Sequence, residues 1–215
     1  FHPLAAFDAP PGERAAAYRR LVAERLVEPT ERELAAAPPP DLVLWPESSL
    51  ADELPADAIV RGRASVLAGR FRAVPTRLVL GANTRHASGT TPSAWLVELP
   101  SGRVLDHHDK RRLVPGGEFL PLLALLPAGV AGWLRDAFAQ ALGGAPDCAP
   151  GAFRPPLTTA QGVPFGAMLC YDNAFPEPAA EQVAAGARLL VVLSNEAGYR
   201  GGGELAQRVA MTVVR

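Results

Sequence analysis

The sequence lacks several features that would assign it to a protein class at once. It has two cysteines among 215 residues, Cys148 and Cys170, too few for a disulfide framework. Its 21 lysines and arginines nearly balance its 22 aspartates and glutamates, and no basic block is present, so no nucleic-acid partner is expected. The longest apolar stretch, residues 119–142, is interrupted by prolines and charges, so it is not expected to cross a membrane.

The apolar content is sufficient for one sizeable core. Hydrophobic residues make up 48% of the chain, and we therefore expect residues 1–215 to form a single domain. The chain begins with Phe1, and its last residues, "LAQRVAMTVVR", stop inside a helical pattern. We therefore expect an incomplete domain that is truncated at both ends.

Hydrophobic periodicity predicts an α/β fold. Helical spacing indicates helices over residues 10–37, with a break near Pro29, over 64–71, and after the glycines that begin at Gly201. Short apolar runs predict strands, and the turn "SGR" joins two of them as a hairpin. A continuous apolar run near the end of the chain predicts a central strand covered on both faces. The predicted strands span residues 41–45, 77–83, 93–100, 104–110, 163–172 and 187–195.

Three reactive side chains lie where predicted strands end. Glu47 follows "LVLWP", Lys110 follows "VLDHHD", and Cys170 ends "GAMLC". Because ligand sites in α/β folds lie at the carboxyl edge of a sheet, we expect these residues to meet at one edge. Each has a simpler interpretation when taken alone. Glu47 could be a solvated loop or capping carboxylate, Lys110 one of three neighbouring surface cations, and Cys170 a buried thiol.

The three residue types together fit acyl transfer through a thioester. A thiol becomes a strong nucleophile only as the thiolate. A carboxylate within hydrogen-bonding reach can accept its proton, and an ammonium group stabilises both the thiolate and the oxyanion of a tetrahedral intermediate. Glu47, Lys110 and Cys170 would then be base, electrostatic stabiliser and nucleophile.

Four motifs occur in an order that resembles the nitrilase, or carbon–nitrogen hydrolase, superfamily. They are "LVLWPES", "HDKRRLVPGGEFLPL", "GAMLCYDNAFPE" and "LLVVLSNEAGY". The motif formed by the lysine and the following "RRLVPGGEFLP" resembles the apolipoprotein N-acyltransferase branch more closely than it resembles the soluble amidases. The resemblance implies a nitrilase-like α-β-β-α sandwich and a Glu-Lys-Cys triad at the three positions above.

The resemblance also implies supporting residues. Glu118 matches a second glutamate that supports the lysine and the base, although a loop-capping role is an equal alternative. Tyr171, Asn195 and Trp133 are expected to contact substrate, and for Asn195 a turn-forming role is an alternative. Asp172 stands where the family usually has glutamate. Other departures from the family pattern are Gly198, in place of a large aromatic residue, and Gln207-Arg208, in place of a Gln-His pair.

The resemblance implies an enzyme of the bacterial inner membrane whose catalytic domain lies on the periplasmic side, with spanning helices outside this sequence. It would move an acyl group from phospholipid to the N-terminal cysteine amine of a lipoprotein, without a metal or an organic cofactor. Residues 119–142 would form a lid that touches the membrane surface, or an ordinary packed helix.

Two alternatives remain open. One is a soluble nitrilase-type amidase that hydrolyses a C–N bond with the same triad. The other is a module that keeps the fold without catalysis, which the departures at Gly198 and Arg208 leave open.

Overall fold

Five helices and eight strands make up the described part of the chain. The computed structural model describes residues 10–50, 53–55, 75–86, 89–99, 101–142, 147–195 and 204–214. The helices are α1 (Arg14–Val22), α2 (Glu28–Leu34), α3 (Ala128–Leu142), α4 (Pro176–Ala184) and α5 (Glu204–Val214). The strands are β1 (Leu42–Leu44), β2 (Glu53–Pro55), β3 (Thr76–His86), β4 (Gly89–Leu99), β5 (Arg103–Asp109), β6 (Leu157–Thr158), β7 (Pro164–Leu169) and β8 (Leu189–Leu193). The helix predicted over residues 64–71 lies outside the described residues.

The predicted break near Pro29 is a change of helix type and not an interruption. A π-helical turn, Ala23–Val27, joins α1 directly to α2, and Pro29 lies in the first turn of α2. Proline has no N–H to give to the helix and its ring crowds the preceding turn. The wider turn, in which the N–H of Glu28 reaches back to the carbonyl of Ala23, precedes the proline and lets the chain continue as one helical segment.

The first sheet is built on a long hairpin. Strands β3 and β4 pair antiparallel over their whole length, and β5 pairs antiparallel with β4, as the turn after residue 100 predicts. On the other side of β3, β1 pairs parallel with Arg77–Val79 and β2 pairs parallel with Asn83–Arg85. Between those two segments the chain stays beside β3, since the Trp45 N–H donates to the Val79 carbonyl and the Leu50 N–H donates to the Gly81 carbonyl.

The second sheet has the order β6-β7-β8 and carries the cysteine strand. The predicted strand over residues 163–172 begins one residue too early and ends three residues too late, because β7 runs from Pro164 to Leu169 and Cys170 begins a 3-10 turn. The expectation of a central strand near the end of the chain is not met in the described residues. There β8 pairs with β7 alone, and Leu189 is 45% exposed.

Two apolar layers show how the sheets and helices stack. One face of the hairpin packs on the helical segment through residues such as Leu78, Trp95 and Leu26. Its other face packs on the second sheet through residues such as Val79, Leu96 and Phe165. Helix α4 covers the outer side of β7, where a Cβ on Gly166 would lie 2.6 Å from Gln182 Cβ. The order is helix, sheet, sheet, helix, which confirms the predicted α-β-β-α class.

Residues 119–142 expose several of their large apolar side chains. Leu122 is 72% exposed, Leu125 77% and Trp133 68%, so these side chains do not pack as an ordinary covering helix would. Among the helices of the described residues, none combines the length and the apolar character that a membrane span requires.

Gly81 lets the turn that carries Glu47 lie flat on β3. An added Cβ would lie 2.6 Å from both the Glu47 Cα and the Pro46 carbonyl oxygen. Ser49 fixes the same turn, since its hydroxyl donates to the Gly81 carbonyl and accepts from the Gly81 N–H, both at 3.0 Å. The Leu50 N–H also donates to the Gly81 carbonyl.

Replacing Gly81 by alanine is expected to destabilise the fold and displace the turn. Backbone atoms cannot yield as a flexible side chain can, so the cost should be about 1–3 kcal/mol or more. Thermal unfolding of the variant and of a Gly132→Ala control measures it. Gly132 lies in α3 with open space around it, so alanine should leave Tm unchanged or raise it. Equal Tm values for Gly81→Ala and the unmodified chain would contradict this packing.

Candidate active site

Lys110 is the centre of a buried charge cluster. Its side chain is 1% exposed, and its Nζ donates to Glu47 Oε1 at 3.1 Å and to Glu118 Oε1 at 2.6 Å. Burial alone would lower the pKa of this lysine. Attraction to Glu47, to the Cys170 sulfur and to Glu118 outweighs burial and raises the pKa, so the ammonium group keeps its charge.

The backbone around Lys110 is fixed on both sides. Its N–H donates to the Pro92 carbonyl and its carbonyl accepts from the Gly151 N–H, each at 2.8 Å. Gly151 has to lack a side chain, because a Cβ there would come within 2.3 Å of Asp109 Cβ. The ammonium group therefore starts from a rigid strand end.

Glu47 is held between this lysine and the cysteine. The Cys170 thiol is within hydrogen-bonding reach of the Glu47 carboxylate. Burial raises the pKa of Glu47, Lys110 opposes that effect, and the neighbouring charge of Glu118 adds to it. The net pKa lies above the usual range of a glutamate, which makes the carboxylate a better proton acceptor.

Glu118 makes one contact of each kind that the sequence left open for it. Its Oε1 atom contacts the Lys110 ammonium, and its Oε2 atom accepts the Val114 N–H at 2.8 Å. The second contact closes the loop that follows the lysine. Glu118 thus links the conformation of that loop to the position of the cation.

Cys170 lies at a sharp strand-to-helix turn. It follows β7 and has a φ of 44°, a left-handed conformation that is uncommon for any residue other than glycine. The turn carries the thiol away from the strand and toward the two residues contributed by the other sheet. Strained backbone of this kind is found at sites where a side chain has to be presented in one direction.

Asp172 holds the cysteine turn against the lysine loop, which the sequence did not reveal. Its side chain is buried, Oδ1 accepts the N–H groups of Arg111 and Arg112, and Oδ2 accepts the N–H of Leu169. One carboxylate therefore joins the residues after Lys110 to the residue before Cys170. An acidic residue two positions after a cysteine at a strand end is the signal that could have indicated it.

The predicted substrate-binding residues divide into two groups. Asn195 Nδ2 donates to the Glu47 carbonyl at 3.2 Å, so this side chain is at the site. Tyr171 follows Cys170 and lines a groove of about 370 Å³ beside the cluster, together with Leu113, Pro115, Phe119, Phe175 and Arg112. Trp133 is exposed on α3 and is not part of that lining.

The convergence differs from the expected one in a single respect. The sequence predicted three strand ends at one edge of one sheet, but Glu47 and Lys110 follow strands of the first sheet and Cys170 follows β7 of the second. The site lies where the ends of two facing sheets meet, because the apolar layer on one face of the hairpin packs against the second sheet. In the part of the chain that the structure describes, no group of three histidine, cysteine or acidic side chains is arranged to hold a metal ion.

Sequence comparison relates the chain to one group of bacterial proteins. No protein-family model matches it. It is 33% identical over 195 residues to "Apolipoprotein N-acyltransferase" of Geobacter metallireducens, which covers 88% of this chain and 34% of the relative. Further matches at 26–34% identity carry the same name. The chain is a homologue of the apolipoprotein N-acyltransferases. It spans about a third of the length of these curated relatives.

Solved structures show the same fold. A carbon–nitrogen hydrolase from Helicobacter pylori superposes with a TM-score of 0.53 at 18% identity, over 90% of this chain and 63% of that one. A mutant of the Nesterenkonia AN1 amidase from the nitrilase superfamily superposes with a TM-score of 0.50 at 21% identity, over 81% and 60%. The homologue of the acyltransferases therefore has the nitrilase-superfamily fold.

The departures from the family pattern fall mainly outside the described structure. Gly198 and the side chain of Arg208 are not among the described residues, and Gln207 is exposed on α5. The triad positions, in contrast, all lie in described segments.

Asp172→Asn is expected to destabilise the protein. An asparagine presents one acceptor oxygen where the carboxylate presents two, so at least one buried N–H loses its partner. Hydrogen bonds to charged groups contribute roughly 1.5–3 kcal/mol each, so a loss of about 2 kcal/mol in unfolding free energy is expected from denaturant titration. Asp136→Asn, at an exposed position of α3, is the control. If both variants unfolded at the same denaturant concentration, Asp172 would not have the role described.

Proposed function

We propose that the protein transfers a fatty acyl group from a phospholipid to an amine, through a thioester on Cys170. The observation that carries the proposal is the buried Lys110 ammonium, which contacts Glu47 and Glu118 while the Cys170 thiol reaches Glu47. Glu47 thus contacts both the cation and the nucleophile. The names of the sequence relatives support acyl transfer to a lipoprotein.

In the first half-reaction Glu47 removes the Cys170 thiol proton as the sulfur attacks the ester carbonyl of the phospholipid. The proton moves within the cluster, so the net charge of the buried site does not change. Lys110 stabilises the oxyanion that develops on the carbonyl oxygen. The carbon–oxygen bond of the ester then breaks, and the lysophospholipid leaves with the proton from Glu47.

In the second half-reaction the amine of the lipoprotein's N-terminal cysteine attacks the thioester. A carbon–nitrogen bond forms and the carbon–sulfur bond breaks, and Glu47 carries the amine proton to the departing sulfur. The thiol is restored and an amide is released. This is a ping-pong sequence in which the acceptor replaces the first product.

The apolar side chains of residues 119–142 support a membrane-surface role for this segment. Leu122, Leu125 and Trp133 are exposed on a segment that directly follows the Glu118 loop. A phospholipid donor has to leave the bilayer far enough for its ester to reach Cys170, and exposed apolar side chains beside the site would lower the free energy of that step. The site would face the periplasm at the bacterial inner membrane.

Hydrolysis of a carbon–nitrogen bond is the second candidate. The fold neighbours include an amidase of Nesterenkonia. With an amide as the acyl donor, the sulfur would displace an amine as the carbon–nitrogen bond breaks, and water would then hydrolyse the thioester to an acid. The two candidates differ in both the acyl donor and the second nucleophile, so product analysis with ester and amide donors, with and without an amine acceptor, separates them.

Glu47→Gln is expected to slow thioester formation by a factor of roughly 10²–10⁴, because the thiol proton loses its acceptor. Cys170→Ser should abolish a thioester altogether, and Glu31→Gln, at an exposed position of α2, is the matched control that should retain it. The measurement is acyl-enzyme formation from phospholipid by full-length protein in detergent. Near-normal rates for Glu47→Gln would overturn its assignment as the base.

The rate of thioester formation is expected to fall along an acid limb whose midpoint lies above pH 4.5, the ordinary pKa of a glutamate, because the pKa of Glu47 is raised. As the pH falls, Glu47 takes up a proton and can no longer accept one from the thiol. Since the charge of Glu118 contributes to the raised pKa, Glu118→Gln should move this limb to lower pH. Thioester formation measured between pH 4 and 8 checks both statements, and an acid limb that does not move would contradict the electrostatic coupling.

A further inference from the structure

The groove beside Cys170 has a mainly apolar lining that also contains two arginines. Leu113, Phe119 and Phe175 belong to the apolar lining, and Arg111 and Arg112 supply the positive charge. Tyr171 also lines the groove and is bonded directly to the nucleophile. A molecule lying in the groove would therefore extend toward the thiol.

The two arginines differ in how firmly they are already bound. The Arg111 guanidinium forms an ion pair with Glu181 and lies 5.8 Å from the Phe153 ring centroid. The Arg112 guanidinium lies 5.1 Å from the Phe175 ring centroid, and its Nη2 atom is 3.7 Å from Glu177 Oε2. Both members of the second pair are about half exposed, so it is weak and can be exchanged for another anion.

The backbone of Arg112 is held in place, whereas its guanidinium group is only weakly paired. Its N–H donates to the buried carboxylate of Asp172 at 2.7 Å, and its guanidinium carbon lies over the Phe175 ring. The side chain lines the groove and is 43% exposed, so its N–H donors are open to a bound anion. A guanidinium in that position matches two oxygens of a phosphate better than a point charge would.

Resting on the function proposed above, we propose that this groove binds the phosphate of the phospholipid donor, with Arg112 on the phosphodiester and the acyl chain along the apolar lining. The ester lies between these two parts of the lipid, and the thiol adjoins the groove through Tyr171. The incoming amine of the acceptor gains nothing from Arg112, since an ammonium group and a guanidinium repel each other.

The test compares two donors that share the same esters. Full-length protein in detergent micelles is given phosphatidylglycerol, or diacylglycerol with identical acyl chains and no phosphate, and the rate of Cys170 thioester formation is measured for each. Arg112→Gln should reduce the ratio of the phosphatidylglycerol rate to the diacylglycerol rate about 10- to 100-fold. This is the change expected when one hydrogen bond to a charged group is lost. Arg112→Lys should recover part of that ratio. Arg103→Gln, an exposed arginine beside the β4–β5 turn, is the matched control and should leave the ratio unchanged.

The outcomes separate this proposal from the function on which it rests. If Cys170 forms no thioester with either donor, the acyl-transfer function fails. If the thioester forms but Arg112→Gln leaves the ratio unchanged, or lowers both rates equally, the phosphate site is overturned while acyl transfer stands. A loss confined to the amine-transfer step would assign Arg112 to the acceptor and would also overturn the proposal.

Discussion

The structure depends on one buried cation. Lys110 has almost no contact with water, and its charge is stabilised by two carboxylates from different parts of the chain. Burying the ammonium group without those partners would cost several kcal/mol of folding free energy. Burying either carboxylate without the lysine would carry a similar cost. The cluster therefore holds together only as a unit, and the thiol of Cys170 joins it through Glu47.

The rest of the fold can be understood as the frame that brings these groups together. Gly81 and Ser49 seat the Glu47 turn on β3, Gly151 leaves room beside the lysine, and Asp172 ties the lysine loop to the cysteine turn. Each acts through backbone hydrogen bonds or a missing side chain and none carries reactive chemistry. In the proposed mechanism, preorganisation of this kind would let the thiol proton move to Glu47 without a change in the net charge of the site.

Much of this could be predicted from the sequence, because residue types and apolar periodicity report chemistry and burial. The α/β class, the hairpin and the three strand-end residues follow from such patterns. The patterns do not report which sheet a strand joins, so the meeting of two sheets at the site was not foreseen. The length of the cysteine strand was also overestimated, since the apolar run gives no sign of the left-handed turn at Cys170. Gly81 inside a strand was a usable signal, because a glycine there marks a close backbone approach.

The central claim is that the thiol of Cys170 accepts a fatty acyl group. Peptide mapping by mass spectrometry tests it most directly, on full-length protein mixed with phospholipid in the absence of an amine acceptor and quenched in acid. The account predicts one acyl group on the peptide that contains Cys170 and none on the peptide that contains Cys148. An unmodified Cys170 peptide from folded protein, or an acyl group attached elsewhere, would contradict it.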